Sequence, residues 1–140
     1  MKILVTGVKG QLGHDVVNEL TERGIEAVGV DIEEMDITDP VSVDKVIREA
    51  APDAVIHCAA YTAVDAAEEN DELCRRVNAE GPGNIARVCK DLDIKMIQIS
   101  TDYVFSGEGT RFWKPEDVCE PQSVYGRTKY EGELVVREIL

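Results

Sequence analysis

Short unbroken apolar runs alternate along the chain with stretches in which apolar residues return every three or four positions. Residues 2–6 (KILVT) read as a strand buried on both faces, the mark of a parallel sheet; residues 25–31 (IEAVGVD), 54–58 (AVIHC) and 95–100 (KMIQIS) supply three more strands. Between them, Leu12, Val16 and Leu20 predict a helix that stops at Gly24. Asp39 followed by Pro40 predicts a helix start, with Val43, Val46, Ile47 and Ala50 as the inner stripe. Residues 72–92 read as mostly helical, with Leu73, Val77, Ile85, Val88 and Leu92 on the apolar face and a kink or break at Gly81-Pro82-Gly83. A long irregular connection over 101–122 precedes a last helix that begins near Ser123. Strands alternating with helices predict an α/β fold, a doubly wound parallel sheet.

Length and composition narrow this to one domain: 140 residues, 44% hydrophobic and 31% charged. No apolar run approaches the roughly 20 residues of a membrane span, and the N-terminus lacks a signal-peptide layout, so a cytoplasmic protein without a membrane partner is expected. The net charge of −13 argues against nucleic acid. It also means that an anionic ligand has to be held locally, by backbone N–H groups or a few cations. Cys58, Cys74, Cys89 and Cys119 form no C-x-x-C pair, and His14 and His57 are far apart, so reduced structural thiols and no metal site are expected.

Two segments carry chemistry. Gly7, Gly10 and Gly13 stand between a strand and a helix in "KILVTGVKGQLGHDVV". The first permits a tight turn, the second lets backbone approach a pyrophosphate, and the third lets the helix lie close; the helix N-terminus then offers free N–H groups to the phosphates. Asp31, at the end of the second strand, stands where a ribose-binding acid belongs. The alternative is a plain glycine-rich turn beside a surface aspartate. A carboxylate repels a 2′-phosphate, and Ile32, Glu33 and Glu34 include no arginine, so NAD(H) is favoured while NADP(H) stays open. At the other end, Tyr125 and Lys129 lie four apart and share a helical face. An ammonium stabilises a neighbouring phenolate, which makes the pair a tuned general acid for a carbonyl under reduction. Ser100 and Thr101 stand at the carboxyl end of the fourth strand, where a hydroxyl can hydrogen-bond that carbonyl. The alternative is a surface tyrosine and a solvated lysine.

The segments "GVKGQLG", "MDITDP", "DAVIHCAAYTAVDAAE", "VNAEGPGNIA", "ISTDYVFSG" and "VYGRTKYEGE" resemble, in order and over nearly the whole chain, the dTDP-4-dehydrorhamnose reductase family of the extended short-chain dehydrogenase/reductases. The resemblance implies a Rossmann-type NAD(P)-binding domain over residues 1–140. Gly7, Gly10, Gln11, Leu12 and Gly13 would line the pyrophosphate, Asp31 would hold the adenosine ribose, and Asp36 and Ile37 the adenine. Ala59, Ala60, Tyr61, Thr62 and Ser100 would run under the cofactor, with Tyr125 and Lys129 also touching it. Thr101, Tyr125 and Lys129 would be catalytic; Thr62, Val64, Thr101, Asp102 and Tyr103 would face a dTDP-linked sugar whose C4 ketone is reduced. Asp36 also reads as a turn acid and Val64 as core, and Asn78, which matches a family asparagine, is left outside the site. Family members are about twice as long, so the remaining strands and the substrate lobe are expected to be absent here. Val135, Val136, Ile139 and Leu140 then face nothing that follows, and an open sheet edge or the last helix can pair with a second copy. Two other readings keep the fold: a non-catalytic regulatory or interaction subunit, and an epimerase or dehydratase of another sugar nucleotide.

Overall fold

The computed structural model describes residues 1–140. Its strands are β1 (Lys2–Thr6), β2 (Glu26–Val30), β3 (Ala54–His57) and β4 (Lys95–Gln98). They form one parallel sheet in the order β2-β1-β3-β4, with Lys2 opposite Glu26, Ile3 opposite Ala54, and Ala54 opposite Lys95. Right-handed crossovers place α1 (Gln11–Glu22) over one face of β1 and β2, and α2 (Pro40–Ala50) with α5 (Gly81–Leu92) on the other. The core fills that second side. Leu4, Val30 and Val55 from the sheet meet Val43 and Ile47 of α2 and Ile85, Val88 and Cys89 of α5.

Local signals set most boundaries. The Asp39 carboxylate accepts from Val41 N at 2.9 Å and caps α2, whose first residue is Pro40. Gly24, at φ +69°, lets the chain leave α1. Ser123 Oγ accepts from Gly126 N at 3.0 Å and starts α6 (Val124–Ile139).

At Gly81-Pro82-Gly83, where a kink or break is expected, the helix does not break. Two short helices, α3 (Val64–Ala67) and α4 (Asp71–Arg75), lead into a π turn at Arg76–Glu80, and α5 continues directly from it. Gly81 N donates to Arg76 O, five residues back. Pro82 has no N–H for the carbonyl of Asn78, so the wide turn forms ahead of the proline and the helix survives. The freed Asn78 carbonyl lies against Gly132 of α6, where any Cβ would collide with it. Helices α5 and α6 also close at Gly83, where a Cβ would meet Val135 Cγ1 at 2.7 Å. Val135 is therefore packed on the preceding helix α5, whereas Leu140 is 53% exposed. Leu73, expected on the inner stripe of its helix, is 46% exposed, because the π turn shifts the phase between α4 and α5. Strand β4 forms one edge of the sheet, and Ile97 on its α1-side face is 53% exposed.

Candidate active site

The carboxyl ends of all four strands point to one rim, where ligands of such sheets sit. At the end of β1 the glycine loop is shaped by the chain itself at two of its three glycines. Gly7 has φ +70°, and a Cβ there would stand 2.7 Å from Ala59 N. Gly13 presses on the Gly7 carbonyl, with no room for a Cβ. Gly10, the N-cap of α1, is different: its φ is −83° and the nearest neighbour of a Cβ would be Gly7 O at 3.3 Å. The fold asks little of Gly10, so the open backbone there serves whatever approaches the helix N-terminus.

Two clefts adjoin this loop. One, of about 240 Å³, is lined by Gly7, Asp31, Asp36, Ile37, Ala59 and Ala60 among others. The second, of about 610 Å³, runs along Gly10, Gln11, Leu12, Gly13, Cys58 and Thr62. Gly7, Asp31, Ala59 and Ala60 belong to both, so a ligand can pass continuously from one to the other. Asp31 sits at the junction. Its Oδ2 accepts from Lys9 N and its Oδ1 from Ile32 N, each at 2.9 Å. Each carboxylate oxygen keeps a further lone-pair site, enough for two ribose hydroxyls. Asp36 Oδ1 accepts from Thr38 N and Thr38 Oγ1 at 2.9 and 2.8 Å, closing a turn at the cleft wall. Ile37 is buried and packs against Gly81, presenting only an edge to the cleft. Lys9 Nζ pairs with Glu33 at 2.6 Å across the rim, and that hydrogen bond raises the Lys9 pKa. No arginine directly follows Asp31, but this lysine, inside the glycine motif, is a cation close to the same carboxylate.

The strip from Ala59 to Thr62 is pinned from below. Thr6 Oγ1 accepts from Cys58 N and Ala59 N, both at 3.1 Å. Asn78, within the π turn, grips Tyr61 from both sides: Oδ1 accepts from Tyr61 N at 2.8 Å and Nδ2 donates to Tyr61 O at 3.1 Å. Its Nδ2 also lies 3.2 Å from Thr128 Oγ1 of α6. Asn78 thus ties the strip to the helix that carries Tyr125 and Lys129. Its burial could not be read from the sequence, since the π turn is what aims it inward.

On α6 the Tyr125 ring packs with Tyr61 around Ala67, Cys74 and Val124, and meets Tyr103 edge-on at a centroid distance of 5.5 Å. Thr101 caps the 3₁₀ turn Asp102–Val104, its Oγ1 accepting from Tyr103 N at 3.2 Å. Thr62 is exposed at the cleft and Val64 half-buried at the start of α3. Lys129 is 3% exposed; its Nζ donates to Ile99 O, and burial pushes its pKa down. Four residues further on, Glu133 accepts from Ser100 Oγ and partly offsets that shift. Ser100 is thereby committed to Glu133, a partner that sequence reasoning missed although its i+8 spacing from Tyr125 was visible.

A family model described as the RmlD substrate binding domain matches residues 1–140. A dTDP-4-dehydrorhamnose reductase of Streptomyces griseus is 41% identical over 137 residues, covering 98% of this chain and 45% of the relative. Among solved structures, a dTDP-4-dehydrorhamnose reductase of Clostridium acetobutylicum superposes with a TM-score of 0.96 at 43% identity, over 99% of this chain and 50% of that one. A dTDP-4-dehydrorhamnose reductase of Bacillus anthracis in complex with NADP gives a TM-score of 0.95 at 37% identity, over 99% and 49%. The chain spans about half the length of the curated relatives it matches.

Proposed function

The chain belongs to the RmlD substrate binding domain family, and from that premise we propose that it is the nicotinamide-holding, proton-donating part of a reductase acting on the C4 ketone of a dTDP-linked 4-dehydro-6-deoxyhexose. The observation that carries this reading is Lys129. Burying a lysine ammonium 97% away from solvent is costly, and a titratable group so perturbed at a ligand rim marks a functional site; this one stands four residues from a tyrosine. Residues 1–140 form the domain that holds the dinucleotide.

The residues fit such a group on two counts: a Cβ at Gly10 would meet only one backbone oxygen, so that side of the loop is open, and Asp31 keeps acceptor capacity at the junction of the two clefts. Gly10, Gln11 and Leu12 hold the pyrophosphate, Asp31 the adenosine ribose, Asp36 and Ile37 border the adenine, and Ala59 to Thr62 form the floor. When bound, the dihydronicotinamide supplies a hydride. Tyr125 gives its phenolic proton to the carbonyl oxygen, Thr101 donates a hydrogen bond to that oxygen, and Lys129 stabilises the phenolate that remains. In this reading Thr62, Val64, Asp102 and Tyr103 contact the sugar. The charge around Asp31 favours NADH, since Glu33 engages Lys9 and leaves a 2′-phosphate facing carboxylates.

Fluorescence titration with NADH and NADPH tests this. NADH binds more tightly, and Gly10→Val abolishes binding of both while circular dichroism stays native. Equal NADH affinity in the folded Gly10→Val chain would show that the phosphate site lies elsewhere.

A further inference from the structure

Behind Lys129 the sheet holds two buried polar atoms without a partner, His57 Nε2 and Gln98 Oε1. They are not scattered. His57 and Gln98 are directly opposed in the β3–β4 ladder, and opposed residues of paired strands project on the same face. That face is the one covered by α5, and the charge of Lys129 on α6 is felt at the His57 ring.

The proton on His57 can be placed. Thr6 Oγ1 accepts from Cys58 N and from Ala59 N, which uses both lone pairs. Its own proton is left for the third contact, His57 Nδ1 at 2.7 Å. Nδ1 is therefore an acceptor, and the neutral ring carries its proton on Nε2. The ring is neutral: complete burial, helped by the charge of Lys129, pulls its pKa down to about 3. So one orphan is a donor and the other an acceptor, carried by opposed residues on one face of the sheet. Each left alone costs about 1–3 kcal/mol.

We propose that one internal water joins His57 Nε2–H to Gln98 Oε1, and that His57 and Gln98 are thereby positioning residues for Lys129. The water accepts from the ring and donates to the amide, and keeps a lone pair for a third donor. Gln98 Nε2 stands 3.5 Å from Ile99 O, the carbonyl that receives the Lys129 ammonium. A hydrogen-bonded path then runs from Thr6 beneath the glycine loop, through His57, the water and Gln98, to the atom that fixes Lys129. A neutral histidine suits this place, because a second cation would repel the ammonium. The hydration site stands on the ladder geometry alone; its positioning role rests on the function proposed above.

The test uses the wild-type chain and two variants. Long-range ¹H–¹⁵N spectra of wild type show His57 protonated at Nε2 and bare at Nδ1, and the Nε2–H gives a cross-peak to a long-lived water. The opposite tautomer, or no such cross-peak, overturns the proposal. The Lys129 titration is then followed through its ¹³Cε shift. The other titratable groups around it are Tyr125 and Glu133 on α6, Cys58 after β3, Cys74 on α4 and His57 itself. Gln98→Met shifts the Lys129 pKa by at least half a unit, about a threefold change in protonation equilibrium, and His57→Phe, which removes the other end of the water bridge without adding charge, shifts it in the same direction. A folded Gln98→Met chain with unmoved Lys129 titration also overturns it, whatever its stability. Neither readout needs cofactor, so failure of wild type to bind NADH would defeat the function proposed above and leave these results standing.

Discussion

Acid should unfold this protein partly through one ring. His57 is fully buried and neutral, with its folded pKa near 3 against 6.5 for an ordinary histidine. Between those values the unfolded chain takes up a proton that the folded chain refuses, so stability rises with pH across this window and is lost as pH falls through it. The slope approaches about 1.4 kcal/mol per pH unit well below 6.5, and going from pH 7 to pH 5 costs about 2 kcal/mol from this group alone. That is a sizeable share of the roughly 5–15 kcal/mol that holds a domain together. Urea denaturation followed by far-ultraviolet circular dichroism, at pH 7 and pH 5, measures it. The comparison is with His57→Gln, which cannot titrate. The variant starts less stable, but its loss between the two pH values is smaller by about 2 kcal/mol. All other ionisable groups contribute equally to both chains and cancel. Equal losses in wild type and His57→Gln would refute the reasoning, and would mean that the ring finds a charged partner or opens to water.

Further expectations follow from the glycine loop and the last helix. Gly7→Ala destabilises the chain by about 2 kcal/mol in urea denaturation, because Gly7 combines positive φ with a close approach to Ala59 N; Gly10→Ala costs less than about 1 kcal/mol, and equal effects would contradict the division of labour between the two. In NADH titrations Lys129→Met weakens binding by about tenfold, the scale of one hydrogen bond to a charged group, whereas Tyr125→Phe stays within about twofold because its hydroxyl acts on the carbonyl while the ring that borders the dinucleotide is kept; matching losses would mean that the hydroxyl itself holds the dinucleotide.

Much of the fold is written locally. The caps at Asp39 and Ser123, the exit at Gly24 and the apolar runs of β1 and β3 each depend on a few adjacent residues, and each stands where the pattern put it. The features that the pattern did not convey depend on partners distant in sequence. Pro82 signals a disturbance but does not say whether the helix breaks or widens, and the Gly132 surface of α6 decides in favour of the π turn. Leu73 looks as apolar as Val77, yet the phase shift at the π turn turns it outward. At the candidate site, Gly10, Asp31, Tyr125 and Lys129 stand out because their chemistry demands a spacing. Asn78, Glu133, His57 and Gln98 do their work through residues some 17 to 51 positions away, and a single sequence gives no pairing for them.

The layering of helices gives the sheet two halves of different stiffness. β1 and β2 are sandwiched between α1 on one side and α2 with α5 on the other, while β3 and β4 are backed on one side only, with Ile97 facing solvent. Amide exchange should therefore be slowest in Ile3–Val5 and faster along Lys95–Gln98, since opening a one-sided edge exposes less buried surface. The division falls across the candidate site. The loop and carboxylate that grip a dinucleotide grow from the rigid half; Thr101 and the carbonyl that holds Lys129 grow from the compliant one. A ligand lying across both clefts would act as a splint between the glycine loop and the strip that follows β3, and the protection it confers would be greatest in the compliant half at β3, away from the glycine loop it touches most closely.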